Sequence, residues 1–382
     1  MVLASTRARV DTLPKTIDFL SVTDWRGEIF RRCWLNLMFL VDLSLWGLNF
    51  MCKKLDFYGY YETALQRASR GFSSMQADSR FSLRTAAALL LLAGGMPAIA
   101  QETNHYPNGT SGILAGSVPG PGYYYLMYNL FYEADRLKDG SGHSDRAPDG
   151  KSLDFSAKAF ANVHRIIHVT QLKFMDAEFS WNVAVPLVYR SVRIGNFNVD
   201  DSHFALGDVN LEPLVLEWRG SQWDFGVGYG LFAPTGGRDD LQPAKPGKDF
   251  WTHYPIVAGT WFFDPERTWS ASFLSRYEFH GKRKDVDVTP GHDVSVELGL
   301  GKRFGMLTVG VSGYGQWQVS NDKGAGVGAD AGVHDRVFGF GPEIQRFFPE
   351  YGFGFQLRHW REFGAKDRSD GSITTLTLVK PF

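Results

Sequence analysis

Beyond Ala100 the chain contains no cysteine, since Cys33 and Cys52 both lie upstream. Disulfides and thiolate metal sites are thereby excluded from that part. It also lacks any apolar run approaching the roughly 20 residues that a helix needs to cross a bilayer. If it lives in a membrane it must do so as a closed barrel, the other architecture that satisfies its own backbone in lipid. An excess of positive charge is missing too. After Ala100, 28 Lys and Arg face 33 Asp and Glu, a net charge of −5 with histidine neutral, so no nucleic-acid partner is expected. Chemistry-bearing motifs are equally scarce. Gly310-Val311-Ser312-Gly313 is not a nucleophile elbow, and Gly324-Ala325-Gly326-Val327-Gly328 has no helix after it to receive phosphate. His164 and His168, four apart on a strand, are separated by ~13 Å, too far to share a metal. His280 and His292 flank a loop. No metal, cofactor or catalytic residue is expected, and no Ser-His pair of a lipid-acting barrel enzyme can be assembled from the sequence.

What is present begins with Met75 to Gln101. Arg80 and Arg84 precede an apolar run from Ala86 to Leu92, and small residues end in Ala98-Ile99-Ala100. This is the layout of a secretory signal, cleaved near Ala100/Gln101. The expected organisation is therefore an upstream extension over 1–74 in front of a start at Met75, a signal peptide over 75–100, a periplasmic or plug-like segment over 101–122, and a barrel over 123–382. The alternative for the upstream part is an N-terminal anchor in the apolar stretch Cys33 to Cys52.

Residues 101–122 are rich in Gly, Pro, Asn and Ser, without helical or strand period. After them, aromatic and β-branched runs recur to the last residue. They predict twelve strands, at 123–132, 155–168, 175–189, 207–218, 222–233, 252–263, 268–280, 292–302, 306–319, 335–347, 352–363 and 372–382. Long polar links (133–154, 190–206, 234–251, 281–291, 320–334, 364–371) alternate with short ones such as Gly220-Ser221, Asp264 to Arg267 and Pro349-Glu350-Tyr351. That alternation predicts an all-β fold, an up-and-down antiparallel transmembrane barrel with short periplasmic turns and long external loops.

Dyad alternation agrees. Phe179, Trp181, Val183, Val185, Leu187 and Tyr189 share one strand face, and Glu178, Ser180 and Asn182 the other. Large aromatics near strand ends (Tyr123, Tyr189, Trp218, Trp223, Trp251, Trp261, Trp269, Trp317, Trp360) suit interface girdles. Phe382 closes the last strand, where barrel-assembly machinery is the expected partner, and outer-membrane lipid is the expected surroundings.

Taken together, several short pieces resemble one family. They are His105-Tyr106-Pro107-Asn108-Gly109, Pro121 to Tyr124, Gly207-Asp208, Glu212-Pro213, Ala233-Pro234-Thr235-Gly236 and Thr289-Pro290-Gly291-His292. Val309 to Gln318 with Asn321-Asp322, Phe340-Gly341-Pro342 and Glu362 to Phe382 complete the set. In order and spacing, 104–382 is similar to the exported proteins named for the meta-pathway of phenol degradation. The resemblance implies an outer-membrane β-barrel and a channel for aromatic or other hydrophobic compounds, with no catalytic residues to carry over.

With the apolar face towards lipid, strand parity assigns the lumen to Asp176, Glu178, Asn182, Asp208, Asn210, Glu212, Asp224, Arg276, Glu278, Asp293, Glu297, Glu343, Gln345, Gln356, Arg358 and Glu362. These form either a polar path that selects solute or paired charges that hold a narrow barrel in shape. Glycines at 226, 228, 230, 310, 313 and 315 leave room for a solute, for segment 101–121, or for bends. Phe197, Phe204, Phe250, Trp251 and His253 are the expected contact surface for an entering hydrophobic solute. The competing expectation is a structural, envelope-maintaining barrel with a filled lumen.

Overall fold

The computed structural model describes residues 102–146, 150–236, 243–327 and 331–382; the expected signal peptide and upstream extension lie outside the described residues. Among the described residues thirteen strands follow one another: β1 (Gly122–Lys138), β2 (Phe155–Phe174), β3 (Ala177–Ile194), β4 (Val199–Leu206), β5 (Val209–Arg219), β6 (Trp223–Ala233), β7 (Thr252–Phe262), β8 (Trp269–His280), β9 (Asp293–Phe304), β10 (Leu307–Gln318), β11 (Arg336–Phe348), β12 (Phe353–Lys366) and β13 (Arg368–Pro381). Twelve of them close an antiparallel ring, because β1 pairs with both β2 and β13, and β3 passes on to β5. β4 is an extra strand carried on β3 alone. Among the described residues no helix is long and apolar enough to cross a membrane.

The extra strand corrects the expected loop at 190–206. β3 runs on to Ile194, turns through Gly195–Phe197 with Asn198 in the left-handed region (φ 54°), and returns as β4. Its polar sequence masks the strand period that burial displays, with Val199, Asp201, His203 and Ala205 half-buried and the residues between them exposed. β4 and β5 are successive partners of the same strand. Leu187 faces Leu206 and Ala184 faces Asn210, so four residues step past three, a bulge at Gly207-Asp208.

Outside, the wall is apolar and rimmed by rings. Trp223, Phe225, Trp261, Trp269, Phe273, Leu298 and Leu300 are all exposed, and Tyr123 stacks on His168, which meets Trp181 edge-on. An apolar band between aromatic girdles is the surface a barrel turns to lipid. Trp360 departs from the girdle expectation. It is fully buried on the inner face of β12, where its indole N–H donates to the Ser312 hydroxyl at 3.0 Å.

Candidate functional site

The interior is built around the segment that precedes β1. Residues 102–121 run inside the ring with few internal backbone bonds, so their N–H groups need partners. Inward-facing glutamates supply them, in chain order down the lumen. Glu278 accepts from the N–H groups of His105 (2.6 Å) and Tyr106 (3.0 Å), Glu297 from Ser111 (2.9 Å), Glu343 from Ile113 (2.8 Å) and Glu217 from Val118 (2.8 Å). Cations take the carbonyls: Arg358 donates to Thr110 O at 2.9 Å, and Arg219 donates to Val118 O and Pro119 O. The Arg276 guanidinium lies 3.6 Å from the Tyr106 ring centroid, a cation–π contact inside a hydrophobic cluster of Phe232, Tyr254, Ile256 and Leu274.

Close approach needs small residues on both sides. A β-carbon on Gly116 would stand 2.2 Å from the carbonyl carbon of Gly259 in β7, and one on Gly301 would stand 2.6 Å from the Ile113 side chain. Of the glycines singled out in the sequence, Gly310 lies beside Ile113 as well, whereas Gly230 makes room for the Tyr254 ring.

The candidate lumen residues sort themselves along this axis. Glu278, Asp293, Glu297, Glu343, Arg276, Arg358, Glu212, Asp224, Asn182, Asp208 and Glu362 are buried inside. Arg358 Nε lies 2.9 Å from Glu343, and Arg276 lies 3.5 Å from Glu297 and 3.9 Å from Glu212. Asn210 donates to the Tyr254 hydroxyl, Gln345 to Glu343, and Gln356 accepts from Arg358. Asp224 accepts from the Ser117 hydroxyl, Glu362 from those of Tyr132 and Tyr314. Glu178, half-buried, meets Arg219 at 3.0 Å near the periplasmic end. Asp176 is a correction: it sits exposed in the β2–β3 turn at φ 66°, beyond the last rung of the wall.

Of the expected solute-contact aromatics, Trp251 and His253 are brought together, their rings stacked at a centroid distance of 6.4 Å, and the others lie on different parts of the molecule. Phe204 and Trp251 are exposed, Phe204 opposite the outward Tyr189, while His253 pairs with Tyr229 on the lipid face. Phe197 packs against a small cluster around Ala134 and Ile194. Phe250 is buried, meeting the rings of His105 and His280 edge-on. The five are spread over the outer face, the extra strand, a turn and the interior rather than forming one surface.

Several lumen groups escape sequence parity. Glu217 is inward only because a bulge between Leu211 and Leu214 shifts the face of β5. Arg165 meets Glu212 at 2.9 Å and Asn182 at 2.9 Å. His105, brought in by the segment, stacks on Phe232 and contacts Asp208 through Nε2 at 3.0 Å. Near it, Glu278, His280 and Asp293 hold one ligand atom each within 4.8 Å of one another. These atoms are engaged in hydrogen bonds: Glu278 with the segment N–H groups, Asp293 with Thr103, Gln316 and His280, and His280 with Thr252.

The segment leans on the β5–β12 side. Opposite it, against β1, β2 and β3, a cavity of about 320 Å³ remains. Ala157, Ala159, Ala161 and Val163 of β2 face it in alternation, joined by Ala184, Pro186 and Val188 of β3 and Leu130 of β1. Small inward side chains are the reason for the space, and period-two alanines in the sequence are the signal that marks it. At its external end Glu102 lies 3.4 Å from Arg368. Burial alone would raise the Glu102 pKa, but Arg368, Arg190 and Lys248 outweigh it and hold the carboxyl at about 2.

Comparison with known proteins agrees with this architecture. A family model described as "Putative MetA-pathway of phenol degradation" matches residues 134–378. An outer membrane channel from Pseudomonas putida F1 has a similar structure, with a TM-score of 0.63 and 15% identity, covering 73% of this chain and 100% of that one. The beta domain of the Bordetella autotransporter BrkA aligns with a TM-score of 0.43 and 11% identity (69% and 100% covered). The CymD monoaromatic hydrocarbon channel aligns at 0.35 and 9% (69% and 89% covered). No curated protein matches the chain.

Proposed function

The chain belongs to the phenol-degradation family whose model spans residues 134–378, and we propose that it is an outer-membrane channel for passive entry of small hydrophobic or aromatic compounds. One observation carries this reading: the aliphatic cavity of about 320 Å³ within an otherwise polar lumen. A barrel whose interior served only to hold its shape has no need of a wall of alanines beside a filled half. Apolar solutes gain by leaving water for such a surface, at roughly 25 cal/mol per Å² buried. Polar solutes meet the hydrogen-bonded segment instead. In this reading residues 102–121 are a plug, and β13 with its terminal Phe382 is the strand offered to the assembly machinery.

The second reading, a non-transporting envelope barrel, is favoured by the dense bonding of the segment to Glu278, Glu297, Glu343 and Glu217. Flux separates the two. The folded protein in liposomes should pass toluene or benzyl alcohol faster than protein-free liposomes, and planar-bilayer conductance should rise on deletion of 102–118. Absence of both effects, with a heat-modifiable folded band on a gel, leaves the structural reading standing.

A further inference from the structure

The cavity's external end is built for charge, although its walls are aliphatic. Arg190 of β3, Lys248 of the link before β7, and Arg368 with Ser369 at the start of β13 line it. The Glu102 carboxylate occupies the space between them: it accepts from the Ser369 hydroxyl at 3.0 Å and lies 3.4 Å from Arg368. Lys248 Nζ donates to the backbone carbonyl of Glu102 at 2.5 Å, and Arg190 donates to the carbonyl of Lys245 at 3.2 Å. Two of the three cations are thus spending their charge on backbone oxygens. Four cationic side chains aim into the cavity (Arg165, Arg190, Lys248, Arg368) and match four carboxylates (Glu102, Asp208, Glu212, Glu362), while Lys158 points outward to Glu133. Swinging Glu102 away leaves the cations in excess.

We propose that the cavity takes molecules with an apolar, ring-sized body and a single carboxylate, the carboxylate seating among Arg190, Lys248 and Arg368 where the Glu102 side chain now lies. Glu102 is then an internal stand-in for the substrate anion, on the segment that must yield for passage. Below it Leu130, Ala159, Ala161, Pro186 and Val188 receive the ring. The volume lies at the lower end of small-ligand pockets, which favours one ring over two. The inference rests on the channel reading and narrows it to aromatic monocarboxylates.

The test uses the folded full-length protein, sodium benzoate as the anionic probe and benzyl alcohol as its neutral counterpart, with binding measured by calorimetry and flux in liposomes. Glu102→Gln removes the internal competitor, so benzoate should bind about 3- to 10-fold tighter. Arg190→Gln with Lys248→Gln removes charge-assisted donors and should weaken it about 10-fold or more. Benzyl alcohol should change less than about 2-fold in either variant. Glu102→Gln keeps shape and hydrogen-bonding size, so it reads the site even where the double variant folds poorly. Benzoate affinity indifferent to Glu102→Gln, or benzyl alcohol tracking benzoate through the variants, overturns the proposal. Benzyl alcohol flux without benzoate binding overturns it while leaving the channel reading intact; loss of flux for both compounds removes the channel reading as well.

Discussion

Glu343 joins three things: the segment, the barrel wall and a buried cation. Its carboxylate accepts from the Ile113 N–H at 2.8 Å and lies 2.9 Å from Arg358 Nε, and both Glu343 and Arg358 are almost fully buried. Glu343→Ala orphans the Ile113 donor, at a cost of about 1–3 kcal/mol. It also strands a buried guanidinium, at about 3–5 kcal/mol, although Arg358 keeps Thr110 O at 2.9 Å. The contributions are coupled, so about 4–5 kcal/mol is expected for the single variant. Removing both charges in Glu343→Ala/Arg358→Met should cost less, because no ion is then left unpaired. Amide hydrogen exchange over 110–116 reads this directly, since protection reports the free energy of local opening. The single variant should lose about a thousandfold of protection, or reach the unprotected limit, and the double variant should recover at least tenfold of it. Equal protection in wild type and Glu343→Ala would refute the claim that the carboxylate ladder holds the segment. Equal losses in single and double variants would refute the role assigned to the stranded cation.

Three further outcomes follow from the same geometry. Gly116→Val places a side chain against the Gly259 backbone and should cost about 1–3 kcal/mol through overpacking, read as faster exchange across 114–120 with little change in the wall. Arg165→Ala leaves Glu212 with Arg276 at 3.9 Å as its remaining ion-pair partner and should lower stability by about 2–4 kcal/mol in urea titrations, with partial recovery in Arg165→Lys. Arg368, Arg190 and Lys248 hold the Glu102 carboxyl at about 2, below the ordinary 4.5. Its contribution to anchoring is therefore fully present above about 4.5 and is lost as pH falls through 2. Exchange at 102–106 should show an acid-dependent step between those values that Glu102→Gln abolishes, and persistence of the step in that variant would sink the assignment.

Strands with strict alternation were legible because lipid and lumen demand opposite side chains, as in β3 and β9. Where the chain leaves the membrane that demand lapses. The polar hairpin of β3 and β4 therefore reads as a loop, although its backbone pairs as regularly as any strand. Parity failed wherever a bulge intervened. Counting from Glu212 puts Glu217 outside, but the shift between Leu211 and Leu214 turns it inward. Parity also says nothing of where strands stop, hence Asp176 in a turn. Trp360 looks like an interface aromatic in sequence and Phe250 like a loop residue open to solute, because hydrophobicity alone does not distinguish a ring facing lipid or solvent from one packed inside the barrel. The segment itself has no periodicity, since its backbone partners are side chains hundreds of residues away, such as Glu343 for Ile113.

The two halves of the lumen differ because the segment is narrower than the ring is wide. A single extended chain cannot fill a twelve-stranded interior, so it must lie against one side. The side it takes is the one that offers carboxylates: β5, β8, β9 and β11 each present a glutamate to its N–H groups. The opposite wall carries alanine at 157, 159 and 161, which offers the segment neither bonds nor bulk. The asymmetry has a mechanical consequence. On the channel reading proposed above, a solute entering from outside first meets the end where Glu102 crosses to Arg368, and beyond it occupies the aliphatic side without breaking the hydrogen bonds of the other. Opening there requires release of the segment's first residues alone. In hydrogen exchange, a channel working this way should lose protection at 102–104 on solute binding while 111–118 remain protected. Uniform loss along the segment would instead mean that the plug leaves as one body.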